Sequence, residues 1–279
     1  TTVYREEQSG ELLGLGRVRS ITQDDVHVFC TRQQVREEIE IIANIIEEFY
    51  ALLEVLKEGN YWVSLSTRDQ DEPEKYLGDA AIWDESEAIL ESIAKERNYQ
   101  YEVIPGEAAF YGPKIDFMFR DAIGRERQLA TIQLDFNMPA RFELEYTDNN
   151  GEKQTPVMIH RAIAGSLERF LSIFIEHFAG AFPFWLAPVQ TMVIPITEAH
   201  HQYAQEVAQQ LKNARVRIEL NDSHDGFVKN VRKAMNELVP YFLIIGDEEV
   251  ANKTVTAESR DDGKVGSLSV EEFLERVSE

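Results

Sequence analysis

Arg5, Arg17 and Arg19 stand on either side of a loop that contains Ser9, Gly10, Gly14 and Gly16. The stretch reads as strand, loop and strand, a hairpin with cationic walls. Such walls suit a polyphosphate, because each guanidinium is a planar, permanently charged fork. The same charges would equally serve an exposed hairpin with ordinary ion pairs, and charge alone does not choose between the two. A second cluster runs Met158-Ile-His-Arg-Ala-Ile-Ala-Gly-Ser-Leu-Glu-Arg-Phe170. There a strand is expected to end at His160, Gly165 follows, and a helix opens with Glu168 and Arg169. A third comprises residues 106–116, with Tyr111 and Lys114, and residues 128–135, with Gln128 and Gln133.

These groups need elements to position them. Val35, Ile39, Ile42, Ile46, Phe49, Leu53 and Leu56 recur at gaps of three and four, which predicts a helix over 33–57. Residues 61–65 alternate as a strand, Pro73 and Gly78 punctuate an acidic loop, and 87–99 reads as a helix. Ile115, Phe117 and Phe119 alternate with polar neighbours, residues 128–136 form a second strand, and Phe142, Leu144 and Tyr146 predict a third. A turn at Asp148-Asn-Asn-Gly151 then leads to a returning strand over 157–160. Consecutive strands with tight turns imply an antiparallel sheet. A helix over 166–179 stops at Gly180.

The pattern changes after Pro188. Strands over 192–196, 216–220 and 241–245 alternate with helices over 199–213 and 226–238, which indicates parallel βαβ units. The expected organisation is therefore an antiparallel α+β domain over 1–188 and a small α/β domain over 189–279.

The 279 residues hold 28 Lys and Arg against 50 Asp and Glu, a net charge of −22. That balance argues against general nucleic-acid binding, since phosphate contacts need cations. Residues 189–279 carry 10 of the cations and 16 of the acids, so most of the excess lies in the first part. The acids at 37–38, 47–48, 69–74, 84–85, 247–249 and 271–272 are expected to be solvated surface. His200, His201 and His224 have no companion acids at ligand spacing and are expected on the surface. One cysteine, Cys30, excludes an internal disulfide and fits a reducing compartment. No run of 18 apolar residues exists, so no membrane helix is expected. The chain opens on Thr1-Thr-Val-Tyr4 without Met or signal peptide, and we read it as a fragment whose upstream part is missing.

Taken together, these segments resemble a class II aminoacyl-tRNA synthetase of the threonyl-tRNA synthetase family. Residues 5–29 are similar to its motif 2 and residues 156–170 to its motif 3. Gly112-Pro-Lys-Ile-Asp, Thr131-Ile-Gln-Leu-Asp-Phe and Phe182-Pro-Phe-Trp-Leu-Ala-Pro-Val-Gln190 match the same family. The resemblance runs in order through essentially the whole chain. It implies a catalytic core lacking motif 1 over 1–188 and an anticodon-binding domain over 189–279.

The implied activity is that of a cytoplasmic threonine–tRNA ligase. Threonine's carboxylate attacks the α-phosphate of ATP, and the tRNA's terminal ribose hydroxyl then attacks the adenylate. The resemblance assigns Arg5 and Arg169 to catalysis. It assigns Arg5, Glu7, Arg17, Gln128 and Arg169 to ATP, with Mg²⁺. Gln23, Asp25, Tyr111, Lys114 and Gln133 would line the threonine site, Asp25 facing the ammonium. His27 and His160 would bind Zn²⁺, whose third ligand in this family is a cysteine expected upstream of residue 1. Cys30, three residues after His27, falls on the opposite strand face and reads as core. Lys229, Arg232 and Lys233 would meet tRNA(Thr), and Phe227 reads as core. A homodimer is expected of the full-length protein, and this piece alone is expected to be incomplete. Two alternatives stand: a non-catalytic synthetase paralogue that binds tRNA or adenylate, or a related ligase for serine or proline. The sequence departs from the family pattern at Glu6, Arg127, Leu129-Ala130, residues 221–225 and Glu258.

Overall fold

The computed structural model describes residues 1–55, 59–221 and 226–278. Leu56 and residues 222–225, with His224, therefore lie outside the described residues. Two compact units divide between Ile173 and Phe174.

The first unit contains β1 (Thr2–Tyr4), β2 (Ser20–Thr22), β3 (Val26–Cys30), α1 (Val35–Ala51), β4 (Tyr61–Thr67), α2 (Ala80–Glu96), β5 (Tyr101–Pro105), β6 (Lys114–Arg120) and β7 (Glu126–Asp135). There follow α3 (Met138–Arg141), β8 (Tyr146–Thr147), β9 (Lys153–Gln154), β10 (Val157–Ala162) and α4 (Leu167–His177), which runs across the division. The main sheet has the order β3-β10-β7-β6-β4-β5. Its pairs are antiparallel except β4–β5, which are parallel and joined through α2. Such a crossover needs a long connection, and the helix provides it.

Helix α1 packs on β3, β7 and β10, burying Val35, Ile39, Ile42, Ala43, Ile46 and Tyr50. It stops at Ala51, short of the expected 57, because Glu54 turns into the left-handed region at φ 56°. Leu53 stays fully buried beyond the helix end, so its apolar spacing continued without helical backbone. Helix α2 starts at Ala80, earlier than the expected 87, and buries Trp83. The expected strand through Phe142, Leu144 and Tyr146 is absent. Pro139 lies in the first turn of α3, Glu143 takes φ 55°, and Phe142 is exposed. Alternation over five residues imitated a strand without a buried face. Only Tyr146–Thr147 pairs, with β9, across a turn in which Asp148 Oδ1 accepts the Asn150 and Glu152 amides. Strand β10 continues to Ala162, past the expected end at His160, and lies between β3 and β7. Cys30 is buried, and burial pushes its thiol up to about 11.

The second unit contains β11 (Thr191–Pro195), α5 (His201–Asn213), β12 (Ile218–Leu220), α6 (Phe227–Asn236), β13 (Tyr241–Ile245), α7 (Asp247–Asn252), β14 (Val255–Ser259), β15 (Gly263–Leu268) and α8 (Val270–Ser278). Its sheet order is β12-β11-β13-β14-β15, with the first three strands parallel and the last two pairings antiparallel. The sheet is thus mixed, and its final four elements were not foreseen. Residues 174–189 cluster with this unit. Arg217 donates to the Trp185 and Ala187 carbonyls, and Arg260 to those of Phe182 and Leu238.

His200 corrects the expectation of a surface residue. It is buried, its Nδ1 accepts the Thr197 amide, and its Nε2 lies 3.0 Å from Asp247 Oδ1. The acid comes 47 residues later, so no local spacing could reveal it. Other acids expected to be solvated are also engaged. Glu47 pairs with Arg97, Asp84 with Arg68, and Glu249 accepts the Gly246 amide. Among the described residues, no helix is long and apolar enough to cross a membrane.

Candidate active site

Strand register builds the floor of the site. His160 on β10 stands opposite His27 on β3 and Gln133 on β7, and Gln133 stands opposite Lys114 on β6. One row across four strands therefore carries four of the predicted residues on one face. The next row on that face brings Ala162, Thr131 and Asp116 together.

The hairpin forms a wall. β1 and β2 pair antiparallel, and the Arg5 amide donates to the Arg19 carbonyl at 2.9 Å. Arg17 Nε donates to Glu7 Oε2 at 2.8 Å, and Arg19 Nε donates to the Glu7 carbonyl. The start of α4 fastens this wall. The Glu168 carboxylate accepts the Thr22 amide, and Arg169 Nε donates to the Gly16 carbonyl at 3.2 Å. Asp24 Oδ2 accepts the Ile163 and Ala164 amides, which ties the hairpin's end to the turn after β10. That turn needs Gly165, which takes φ +68° with space for a Cβ only 2.6 Å from the Leu129 carbonyl.

Wall and floor enclose a cavity of about 500 Å³. Arg5, Glu7, Arg17, Gln128 and Arg169 line it, as do Gln23, Asp25, Tyr111, Lys114, Gln133 and His160. Glu6, whose charge departs from the family pattern, is not in the lining.

Charges in the cavity are partly unbalanced. Burial foremost, then the neighbouring Arg5, Arg127 and Arg17 cations, pull Arg169 below its ordinary value. Guanidinium stays protonated, so the crowding means a field that an anion would relieve. Burial raises Glu168, but amide N–H groups at its own backbone and at Thr22 outweigh it and hold the carboxyl low. Burial, then the Asp135 and Asp25 charges, push Tyr111 up, so its hydroxyl keeps its proton and donates to Gln133 Oε1 at 3.2 Å.

Asp25, His27 and His160 each offer a ligand atom, all within 4.8 Å of one another. The two imidazoles meet edge to face, centroids 4.5 Å apart. Two imidazole nitrogens and a carboxylate oxygen are ligand types that suit zinc. His160 has the outer partner that metal-bound histidines usually keep, since its Nε2 lies 3.0 Å from Asp135 Oδ2. Cys30 is not in this cluster.

Comparison with known proteins places the chain in a family. The family described as tRNA synthetase class II core domain (G, H, P, S and T) matches residues 1–178, and the anticodon binding domain family matches residues 190–279. A solved structure described as the RNA binding domain of threonyl-tRNA synthetase from Cryptosporidium parvum Iowa II superposes with a TM-score of 0.90. It is 36% identical, over 100% of this chain and 68% of that one. The chain belongs to the threonyl-tRNA synthetase family. Proteins named Threonine--tRNA ligase from Caldanaerobacter subterraneus and Thermus thermophilus are 48% and 47% identical over 99% and 98% of this chain. The chain spans about 42% of the length of the former and 41% of the latter. Prolyl-tRNA synthetase from C. parvum, at 18% identity and TM-score 0.68, shares the fold alone.

For this threonyl-tRNA synthetase family member, several site residues escaped the sequence reading. Asp116 is buried and accepts from Gln128 Nε2 and Thr131 Oγ1, both at 2.6 Å, while pairing with Lys114. It thereby orients three residues that face the cavity. Asp135 is wholly buried behind His160. An acid amid the apolar alternation of a central strand was the available signal, because such charges are buried only when partnered. On α6 of the second unit, Lys229 and Arg232 line a shallow groove with Phe227 and Val228. Lys233 does not join that groove. It pairs with Glu219 at 3.0 Å and Glu237 at 3.8 Å.

Proposed function

We propose that the chain carries the aminoacylation core and the anticodon-binding portion of a threonine–tRNA ligase, divided near residue 189. The observation that carries this reading is one cavity lined both by the hairpin arginines Arg5 and Arg17 and by Asp25 and His160, whose cluster His27 completes from outside the lining.

In this reading ATP lies between the hairpin and α4. Arg5 holds the α-phosphate and neutralises charge as the threonine carboxylate attacks the α-phosphorus and pyrophosphate leaves. Arg17 and Arg169 take the terminal phosphates, Glu7 meets the adenine amino group, and Gln128 meets the nucleotide. The crowded cations around Arg169 support these roles, because phosphoryl chemistry needs charge stabilisation and alignment more than a nucleophile. Mg²⁺ accompanies ATP.

Threonine occupies the strand-borne end. Asp25 takes its ammonium, and Gln23, Tyr111, Lys114 and Gln133 complete the lining. His27 and His160 hold zinc, with a further ligand from outside this chain. When bound, the ion would supply a Lewis acid for recognising the threonine hydroxyl, which valine lacks. A site built for a hydroxyl rejects the analogue that lacks it far better than an apolar pocket can. Lys229 and Arg232 meet tRNA(Thr), and the whole protein works as a cytoplasmic homodimer.

ATP–pyrophosphate exchange by the intact protein with threonine, serine and proline tests this. Exchange with threonine is the expected result. Exchange with serine or proline alone would assign a different ligase, and no exchange at all would leave a binding paralogue.

A further inference from the structure

We propose that Asp135 is a positioning residue for the metal site: it holds His160 in the tautomer that leaves Nδ1 for the ion. The inference rests on the zinc reading above and extends it to a residue that touches neither metal nor substrate.

Asp135 ends β7 and is wholly buried. Its Oδ1 accepts the amides of Asn137 and Met138, at 2.9 and 2.8 Å, which open α3. That locks the carboxylate in one orientation. Its Oδ2 lies 3.0 Å from His160 Nε2. A carboxylate oxygen accepts, so this contact is a hydrogen bond when Nε2 carries the hydrogen. Neutral imidazole has one N–H, and Nδ1 therefore keeps its lone pair. His160 stands opposite His27 in the register, and both offer ligand atoms to the same cluster as Asp25. The α3 turn, which follows β7 and precedes the segment expected as a third strand, thus acts on the site. It aims the carboxylate.

Asp135→Asn separates this role from simple burial. The asparagine oxygen must stay on the Asn137 and Met138 amides, because turning it puts an NH₂ against two N–H donors. Its NH₂ then faces His160 Nε2, which must accept, and the hydrogen moves to Nδ1. Volume and helix cap are kept while the tautomer is inverted.

The test has two readouts on the intact, metal-free protein. Two-dimensional ¹⁵N NMR of the imidazoles at mildly alkaline pH should show His160 as the Nε2–H tautomer, and as Nδ1–H in Asp135→Asn. Competition of Zn²⁺ against a chromophoric chelator should show affinity falling about 10- to 100-fold in Asp135→Asn, with the metal-free melting temperature little changed. His160→Ala should lose the site's zinc. If zinc affinity is the same in His160→Ala as in the parent, the metal reading itself fails. If His160→Ala loses zinc but Asp135→Asn keeps full affinity, the positioning role alone fails. A parent spectrum with the hydrogen on Nδ1 also overturns it, whether or not the variant folds.

Discussion

The two sides of the cavity are built in opposite ways. The floor is made of central strands, and its residues are aligned by backbone register, with His27, His160, Gln133 and Lys114 in one row. The wall is a hairpin with only three paired residues per strand, held in place by its own charges and by α4. A register is shared by a whole sheet, so floor positions are exact but intolerant of change. Ion pairs can exchange partners, so wall residues can release one another when a polyanion arrives. In the proposed reading, geometric discrimination falls to the floor and charge neutralisation to the wall.

Arg5→Ala should break the wall's contribution most, lowering pyrophosphate exchange by about 10²- to 10³-fold, the usual result of removing one transition-state charge contact. Thermal unfolding should be nearly unchanged. Glycine replacements should then contrast the two sides. A Cβ at Gly112 would sit 1.7 Å from the Leu134 carbonyl on the floor, whereas one at Gly10 meets nothing within 4 Å. Gly112→Ala should destabilise by ~1–3 kcal/mol in denaturant titration, and Gly10→Ala should be silent. Equal effects would remove the contrast.

Glu7→Gln tests whether wall charges organise one another. Glu7 accepts from Arg17, which is half-exposed, so the loss in ATP affinity should be about fivefold or less and should fade with added salt. In the second unit, Lys229→Ala and Arg232→Ala should each weaken tRNA binding and lower its salt slope by about one. Lys233→Ala should change it little, because its ammonium pairs with Glu219 and Glu237. Smallest in function is Cys30. Its thiol, raised to about 11 by burial, is almost all protonated at neutral pH. Iodoacetamide should label it roughly 100-fold more slowly than an ordinary cysteine at pH 8, with the rate rising as pH climbs toward 11. Fast labelling would show that the β3 edge opens.

Much of this was legible before any coordinates. The apolar spacing from Val35 to Ile46 marked the buried face of α1, and Ile115, Phe117 and Phe119 marked β6. Phe142, Leu144 and Tyr146 misled because five alternating residues carry no record of whether a partner strand exists. His200 misled because its acid is 47 residues away. The final four elements of the second unit went unread because their strands pair only with neighbours that the fold supplies.

By itself the sequence determined the inventory: the arginines of the hairpin, the two histidines, the helix faces and the change of pattern after Pro188. Those depend on residue type and on periods of two and 3.6, which are local. Only the tertiary structure decided that His27 faces His160, that Asp116 orients Lys114 and Gln128, and that Asp135 lies behind the imidazole. These depend on strand register and on a helical turn over residues 138–141, where chain segments far apart in sequence must meet within hydrogen-bond distance.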